Sequence, residues 1–515
     1  MLAKLTSGAV VGLDSVPVGV EVDISGQSLP SFTIVGLADK AVEESKERVR
    51  SAIKNSGGQF PAKRIVVNLA PADLPKEGPS YDLPIALGIL LASDQLAADL
   101  KYSLLLGELS LDGSLCHTKG VLPQVILAKE KGLKKVFLPS QNAKEASIIE
   151  GIEIYPVTNL AELLRHLTGQ ITIKPQPKID IDTLFEEIDD YEFDFSEIAG
   201  QESAKRALEI AAAGGHNILM HGPPGAGKTL LARALPSILP KLTFEEAIEV
   251  TKIYSVSGLL KGKEHLVKKR PFRSPHHSTS LVGLVGGGTH PKPGEISLAH
   301  KGVLFLDEVP LFGPQALESL RQPLEDGYVT VSRAQGTLTF PAQFMLVAAS
   351  NPCPCGYNLD PQKECICTPS QILRYQKRLS GPFLDRVDIA IEVPAVKIQK
   401  LEKSEVQEES KKIKERVQNA RDRQLKRFKV MPIERKGRKF FANCQMTNKE
   451  VKEFCQLDNK SLALLSSAAS QLGLSARGYM RVLKVARTIA DLDQSDKIET
   501  AHVAEALGLR IRQEG

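Results

Sequence analysis

Gly222-Pro223-Pro224-Gly225-Ala226-Gly227-Lys228-Thr229 is a complete phosphate-binding loop pattern, and its flanks are the ones the pattern requires. Ile218 to Met220 before it reads as a strand, and Leu230 to Leu235 after it reads as a helix. Glycines let successive backbone N–H groups converge on a β-phosphate without Cβ crowding, and the helix start adds its positive dipole end. Lys228 would reach the β- and γ-phosphates and the Thr229 hydroxyl would ligate Mg²⁺. A chance glycine-rich turn would carry neither the strand nor the helix.

Working outward, Gly302-Val303-Leu304-Phe305-Leu306-Asp307-Glu308 is an apolar run ending in two acids, the form of a buried parallel strand whose carboxyl end meets a nucleotide. Asp307 would hold Mg²⁺ and Glu308 would polarise the attacking water. Downstream of a phosphate loop, that pair points to ATP hydrolysis. Phe344 to Ala349 is a further core strand, and Asn351 after it would sense the γ-phosphate and help to place water. Arg386, in Ser380-Gly381-Pro382-Phe383-Leu384-Asp385-Arg386, is the candidate finger for a neighbouring subunit's site, with an internal ion pair to Asp385 or Asp388 as the alternative. Arg477, or failing it Arg481, would bring positive charge to the γ-phosphate from a helical lid that Ser475 caps.

The whole chain sets bounds on this reading. At 515 residues it is too long for one core. It is 42% hydrophobic and 25% charged, a globular composition, and its formal charge of +5 does not by itself imply nucleic acid. No long apolar span and no signal peptide is visible, so the expected compartment is the cytoplasm and no membrane partner is expected. Seven cysteines, an odd number with four clustered, argue against a secreted disulfide scaffold. Cys353, Cys355, Cys365 and Cys367 form two close pairs with nine residues between them and could close a tetrahedral zinc site. The gap within each pair is tighter than usual, and a reduced or redox-active cluster, or plain loop cysteines, are the alternatives.

The expected organisation is an α/β multidomain chain. Residues 1–170 read as a mixed α/β domain, with strands at 20–24, 32–35, 64–69, 104–109 and 135–139 and a helix from Asp39 to Lys54. An acidic linker at 171–193 leads to a nucleotide-binding core at 194–395, in which a helix opens at Asp194 with its start against the adenine. A hairpin spans Gly327 to Phe340 with Arg333 near its tip, a candidate mechanical lever. The insertion that carries Arg270 to Ser278 and Gly286 to His290 is rich in basic and turn residues. Its adjacent His276 and His277 suggest metal only weakly; loop or subunit contact, or contact with a polyanion, fits better. A charged connector at 396–440 follows, with ten Lys or Arg against two acids between Arg416 and Lys439, and residues 441–515 read as helical. That basic stretch is adequately a solvated helix and linker, with nucleic-acid contact as the alternative.

Two resemblances sharpen this. Leu74 to Ser80, Gly107-Glu108-Leu109 and Gly132 to Pro139 resemble the proteolytic domain of Lon-type proteases, an S5-like α/β fold. Ser80 falls at their nucleophile, but Leu122 stands where their paired lysine would, with Lys119 nearby. A serine without a base is a weak nucleophile, so the reading is a non-proteolytic Lon-like domain. Over essentially its whole length the chain resembles the magnesium-chelatase-like AAA+ ATPases of bacteria, the YifB/ComM group, most specifically in Leu74 to Leu83, Phe272 to Ser280, Gly286 to Pro291, Asn351 to Gly356 and Ser475 to Leu492. That resemblance implies an AAA+ P-loop core, a C-terminal helical lid resembling that of magnesium chelatase and a hexameric homo-oligomeric ring. It implies ATP and Mg²⁺ as cofactors, and DNA branch migration during natural transformation, alongside recombination proteins. Arg333, Arg273 and His276 would then be candidate DNA contacts. A protein-complex remodeller and a magnesium-chelatase motor are the alternatives.

Overall fold

A computed structural model describes residues 2–26, 29–178, 191–260, 265–288, 291–333, 336–358, 363–379, 381–395, 407–429 and 442–510. About half of the linker expected at 171–193 and of the connector expected at 396–440 lies outside these residues. The chain forms two compact units, 1–187 with 244–268, and 188–243 with 269–515. The segment 244–268, contiguous in sequence with the nucleotide core, therefore belongs by its packing to the first unit. Among the described residues no helix is long and apolar enough to cross a membrane.

The first unit is built on a seven-stranded sheet. Its strands are β1 (Leu2–Val11), β2 (Asp14–Ser25), β3 (Ser31–Val35), β4 (Arg64–Ala70), β5 (Ser103–Leu105), β6 (Lys135–Pro139) and β7 (Glu153–Val157), in the order β3-β4-β2-β1-β5-β6-β7. β1 and β2 pair antiparallel through a tight turn in which Gly12 has φ 64°, a conformation that favours glycine. The helix α1 (Lys40–Asn55) starts where the sequence indicates, because the Asp39 carboxylate accepts from the Val42 N–H at 2.8 Å. The helix α2 (Asp82–Ala92) is apolar on nearly every side and buried throughout except at Leu91. Buried Asp82 at its start ties the unit together, accepting from Ser45, from the Arg48 Nε at 2.7 Å and from the Leu109 N–H at 3.2 Å.

The strand expected over 104–109 is broken. β5 ends at Leu105, and Gly107 turns its N–H to the Ser80 carbonyl, so Glu108–Leu109 pairs separately with Leu115–Cys116. The helix Phe244–Ser257 meets the helix α3 (Val121–Glu130) region of this unit: Gly120 donates to the Ser255 carbonyl, and the Ser255 hydroxyl donates to buried Glu145. The Lys119 side chain lies against Gly258, on this same contact.

The second unit carries an all-parallel five-stranded sheet. β8 (Ile218–His221), β9 (Phe272–Arg273), β10 (Val303–Leu306), β11 (Met345–Ser350) and β12 (Ile389–Glu392) stand in the order β9-β10-β11-β8-β12. The registers Ile218↔Val347, Ile218↔Ile389 and Leu306↔Ala348 bring the carboxyl ends of the central strands to one edge, the edge at which open α/β sheets bind ligands. β10 and β11 are buried at every position, as strands covered on both faces must be. The helix expected to run from Asp194 is instead one 3₁₀ turn, Phe195–Glu197, followed by α4 (Glu202–Gly214); Gln201 between them takes a left-handed conformation, φ 60°.

The C-terminal part is helical, as expected, and shares one apolar core with the sheet, Ile218, Val347 and Ile389 joining Val482, Ala486 and Ile489. The basic helix α7 (Ser410–Lys429) buries one face and leaves Lys411, Lys412, Lys426 and Lys429 exposed on the other. Arg416 pairs with Glu209 and Glu408 at 2.6 and 2.5 Å, Arg423 with Asp496 at 2.5 Å and Arg427 with Asp491. Arg421 donates to the carbonyls of Ala212 and Ala213, the orphan acceptors at the end of α4. These four arginines fasten the helix to other elements, and composition alone could not reveal partners so distant in sequence.

Candidate nucleotide site

The phosphate-loop residues Gly222 to Thr229 leave β8 and enter α5 (Lys228–Ala234) in the expected order. Gly222 has no room for a side chain, since a Cβ there would stand 2.1 Å from the Val393 carbonyl oxygen. Gly225 and Gly227 take φ 78° and 86°, the left-handed turns that aim successive N–H groups inward. Pro223, Pro224 and Ala226 complete the loop, with Ala226 buried. Gln201 braces it from outside, its Nε2 donating to the Ala226 carbonyl at 3.2 Å and to the Pro394 carbonyl at 2.6 Å. The sequence offered no signal for that role, because it needs the left-handed turn before α4.

Lys228 is buried and donates to the carbonyls of Gly222 and Pro223 at 2.6 and 2.8 Å and to the Asn351 Oδ1 at 3.0 Å. Burial draws its ammonium below the usual lysine range, against the opposing charges of Asp307 and Glu308. Three strand ends expected to converge therefore do so: β8 brings Lys228, β10 brings Asp307 and Glu308, and β11 brings Asn351. The Thr229 hydroxyl donates to the Asp307 Oδ2 at 2.8 Å. That hydroxyl and carboxylate are hard oxygen donors side by side, a set that fits Mg²⁺. Glu308 follows in a left-handed conformation, φ 50° and ψ 49°, with its carboxylate exposed and its N–H donating to the Asp307 Oδ1 at 3.0 Å. A bulky residue held in that region carries strain of the kind concentrated at functional sites.

Beyond β11, the helix α6 (Pro369–Gln376) closes over this edge. Its Gln376 donates to the Pro352 carbonyl at 3.4 Å, and Arg378 just after it donates to the Pro310 carbonyl at 3.2 Å. Burial pushes the Tyr375 phenol up to about 12; the Asn351 backbone opposes that rise and the Glu308 charge adds to it. Between β11 and α6 the thiols of Cys353, Cys355, Cys365 and Cys367 come together, all four sulfurs within 4.8 Å of one another.

The two arginines expected to serve the γ-phosphate are found together. Arg386 is buried and contacts the Glu325 Oε1 at 2.5 Å, while Arg477, on α8 (Ala476–Leu492), stands 3.3 Å from the same oxygen. The partner of Arg386 is thus Glu325 rather than Asp385 or Asp388; Asp388 instead pairs with Arg481 at 3.2 Å. Ser475 caps α8 as expected, accepting from the Gly478 N–H at 3.1 Å. Glu325→Ala is expected to destabilise the second unit by roughly 1–2 kcal/mol, below the cost for a deep pair because Glu325 is 44% exposed. A denaturant titration reads it, and an unmoved midpoint would mean that the shared carboxylate contributes nothing.

The residues expected to contact a polyanion are Arg273, His276 and Arg333. Arg273 donates from its Nε and one Nη to the two carboxylate oxygens of Glu295, at 2.6 Å each. His276 is exposed, its ring 4.0 Å from that of His277 and its Nδ1 2.7 Å from the Ser278 hydroxyl. Arg333 ends the first strand of the hairpin, Tyr328–Arg333 against Gly336–Pro341. The turn at 334–335 and the histidine at 290 lie outside the described residues.

Comparisons with known proteins give the chain's relatives. Three family models match in succession: subunit ChlI of Mg-chelatase at residues 20–142, magnesium chelatase, subunit ChlI at 194–401, and the subunit ChlI C-terminal model at 407–510. Competence protein ComM of Haemophilus influenzae is 46% identical over 99% of this chain and 97% of its own length. The uncharacterized protein YifB of Escherichia coli is 44% identical over the same shares. Lon protease 2 of Bacillus subtilis is similar over 28% of this chain and 29% of its own, at 29% identity. With full-length identity at that level and all three family models in order, the chain belongs to the magnesium-chelatase-like ComM/YifB family.

Proposed function

We propose that this protein is an ATP-hydrolysing AAA+ motor that works as a hexameric ring on DNA, moving a branched junction during recombination. The observation that carries the reading is the convergence of Lys228, Asn351, and the Thr229–Asp307 pair on one sheet edge beside Glu308. In the reaction, the loop N–H groups and Lys228 bind the phosphates of ATP, Asn351 orients water, and Glu308 accepts its proton as it attacks. Thr229 and Asp307 would hold Mg²⁺, which when bound neutralises phosphate charge. Arg386 would act across a subunit boundary and Arg477 from the lid, with Glu325 keeping the two guanidiniums together until they engage. The Lon-like unit would serve as a scaffold.

The DNA assignment draws on the resemblance to ComM, whose name marks it as a competence protein. Arg333, Arg273 and His276 would supply sequence-independent contacts, Arg273 by exchanging Glu295 for phosphate. One observation favours a second reading, a remodeller of protein complexes. Leu281 and Val282, on a short helix of the inserted loops, are 45% and 46% exposed and could grip polypeptide. A four-way DNA junction incubated with the protein and ATP separates the two: conversion to duplex arms is expected. Inert junctions together with unfolding of a protein substrate would favour the remodeller. In mixed rings, Arg386→Ala subunits should poison wild-type neighbours beyond their proportion.

A further inference from the structure

We propose that Cys353, Cys355, Cys365 and Cys367 hold one Zn²⁺ and that this centre clamps the phosphate loop. The sulfur positions carry the first half. Cys353 Sγ lies 3.3 Å from Cys355 Sγ and 3.7 Å from Cys365 Sγ, and Cys355 Sγ lies 3.6 Å from Cys365 Sγ. A disulfide needs about 2.05 Å, so these are not bonded pairs. Tetrahedral zinc with Zn–S of about 2.3 Å sets its sulfurs about 3.8 Å apart, close to what is observed. An all-sulfur tetrahedral set is soft, which excludes Mg²⁺ and Ca²⁺ and leaves zinc or iron, zinc being the ion that needs no redox partner.

Backbone donors already face the sulfurs. Backbone N–H groups of Gly356 and Asn358 point at Cys353 Sγ, 3.2 and 3.3 Å away, and that of Cys355 points at Cys367 Sγ, 3.4 Å away. Such donors stabilise metal-bound sulfur from the outer shell. On coordination each thiol releases its proton to water and each sulfur donates a lone pair to the ion, with no change of oxidation state.

The second half follows from where the cluster sits, and it rests on the nucleotide-site reading. Cys353 lies two residues beyond Asn351, and Cys367 is followed by Thr368, which caps α6 with a reciprocal Gln371 bond. Gly356, inside the knuckle at φ 88°, presses on the phosphate loop so closely that a Cβ would stand 2.5 Å from the Pro224 Cδ. The metal would therefore hold together the strand end bearing Asn351, the helix that covers it and the surface supporting Pro224. Without it, those three parts lose their common anchor.

Full-length protein purified under reducing conditions is expected to contain about one zinc per chain by elemental mass spectrometry, and Cys365→Ser/Cys367→Ser almost none. Because that variant could fail to fold, wild-type protein is also titrated with a mercurial thiol reagent. Released zinc is followed with a chromogenic chelator and nucleotide affinity with a fluorescent ATP analogue. Release should proceed with a roughly 10–100-fold loss of affinity, the scale of one lost hydrogen bond to a charged phosphate. Absence of stoichiometric metal, or iron in its place, would overturn the zinc site; release with unchanged affinity would overturn the clamp. Lys228→Ala should keep its zinc while losing nucleotide, so a failure of the metal site is distinguishable from a failure of the nucleotide site.

Discussion

Lys228→Ala is expected to lower ATP affinity by roughly 10²–10⁴-fold and leave the fold intact. The buried ammonium makes three contacts in this structure, to the Gly222 and Pro223 carbonyls and to Asn351. Turned toward phosphate, it would make charge-assisted bonds of about 1.5–3 kcal/mol each, and losing two of them costs about 3–6 kcal/mol. At about 1.4 kcal/mol per factor of ten, that is the stated range. Lys228→Arg should not rescue, because a planar fork cannot occupy the position of a compact ammonium enclosed by loop carbonyls. Fluorescent nucleotide titration checks both variants, with circular dichroism to verify folding. Wild-type affinity in the alanine variant would remove the phosphate role from this lysine.

Glu308→Gln should behave differently, binding ATP as well as the wild type while hydrolysing it roughly 10²–10⁴-fold more slowly, the contribution of a positioned general base. Its carboxylate is exposed at the carboxyl end of β10, while the backbone N–H is the part fastened to Asp307. Glutamine keeps the size and the left-handed backbone but cannot accept a proton from water. The Thr229–Asp307 hydrogen bond is untouched. Single-turnover kinetics with saturating ATP separate the two effects; unimpaired turnover would assign the base elsewhere.

The contrast between these two residues and Glu325 explains what could be read from the sequence. Lys228, Asp307, Glu308 and Asn351 were legible because each follows a hydrophobic strand, and parallel strands deliver their carboxyl ends to one edge. Their convergence needs no knowledge of loops. Glu325, Gln201 and Gly356 were not legible, since each acts through a neighbour distant in sequence: Arg386 and Arg477, Ala226 and Pro394, and Pro224 respectively. The ion pairs of the arginines from Arg416 to Arg427 are not legible for the same reason. Charge counts register the arginines but not Glu209, Asp491 and Asp496, which neutralise them.

In the first unit, the apolar alternation that identified β2 to β4 succeeded because those strands are half-buried. The run from Leu104 to Leu109 misled because its apolar residues are continuous in sequence while Gly107 diverts the backbone to Ser80. The Lys119 side chain, three residues before Leu122, lies against Gly258.

The measurement that bears most directly on the account is steady-state ATP turnover by the full-length protein at fixed low salt. It is made alone and with single-stranded DNA, a four-way junction or an unfolded polypeptide, in parallel with Glu308→Gln. The account predicts turnover that DNA stimulates, that loses its stimulation as salt rises because phosphate contacts are screened, and that vanishes in the variant. Turnover indifferent to every form of DNA but raised by polypeptide would contradict it.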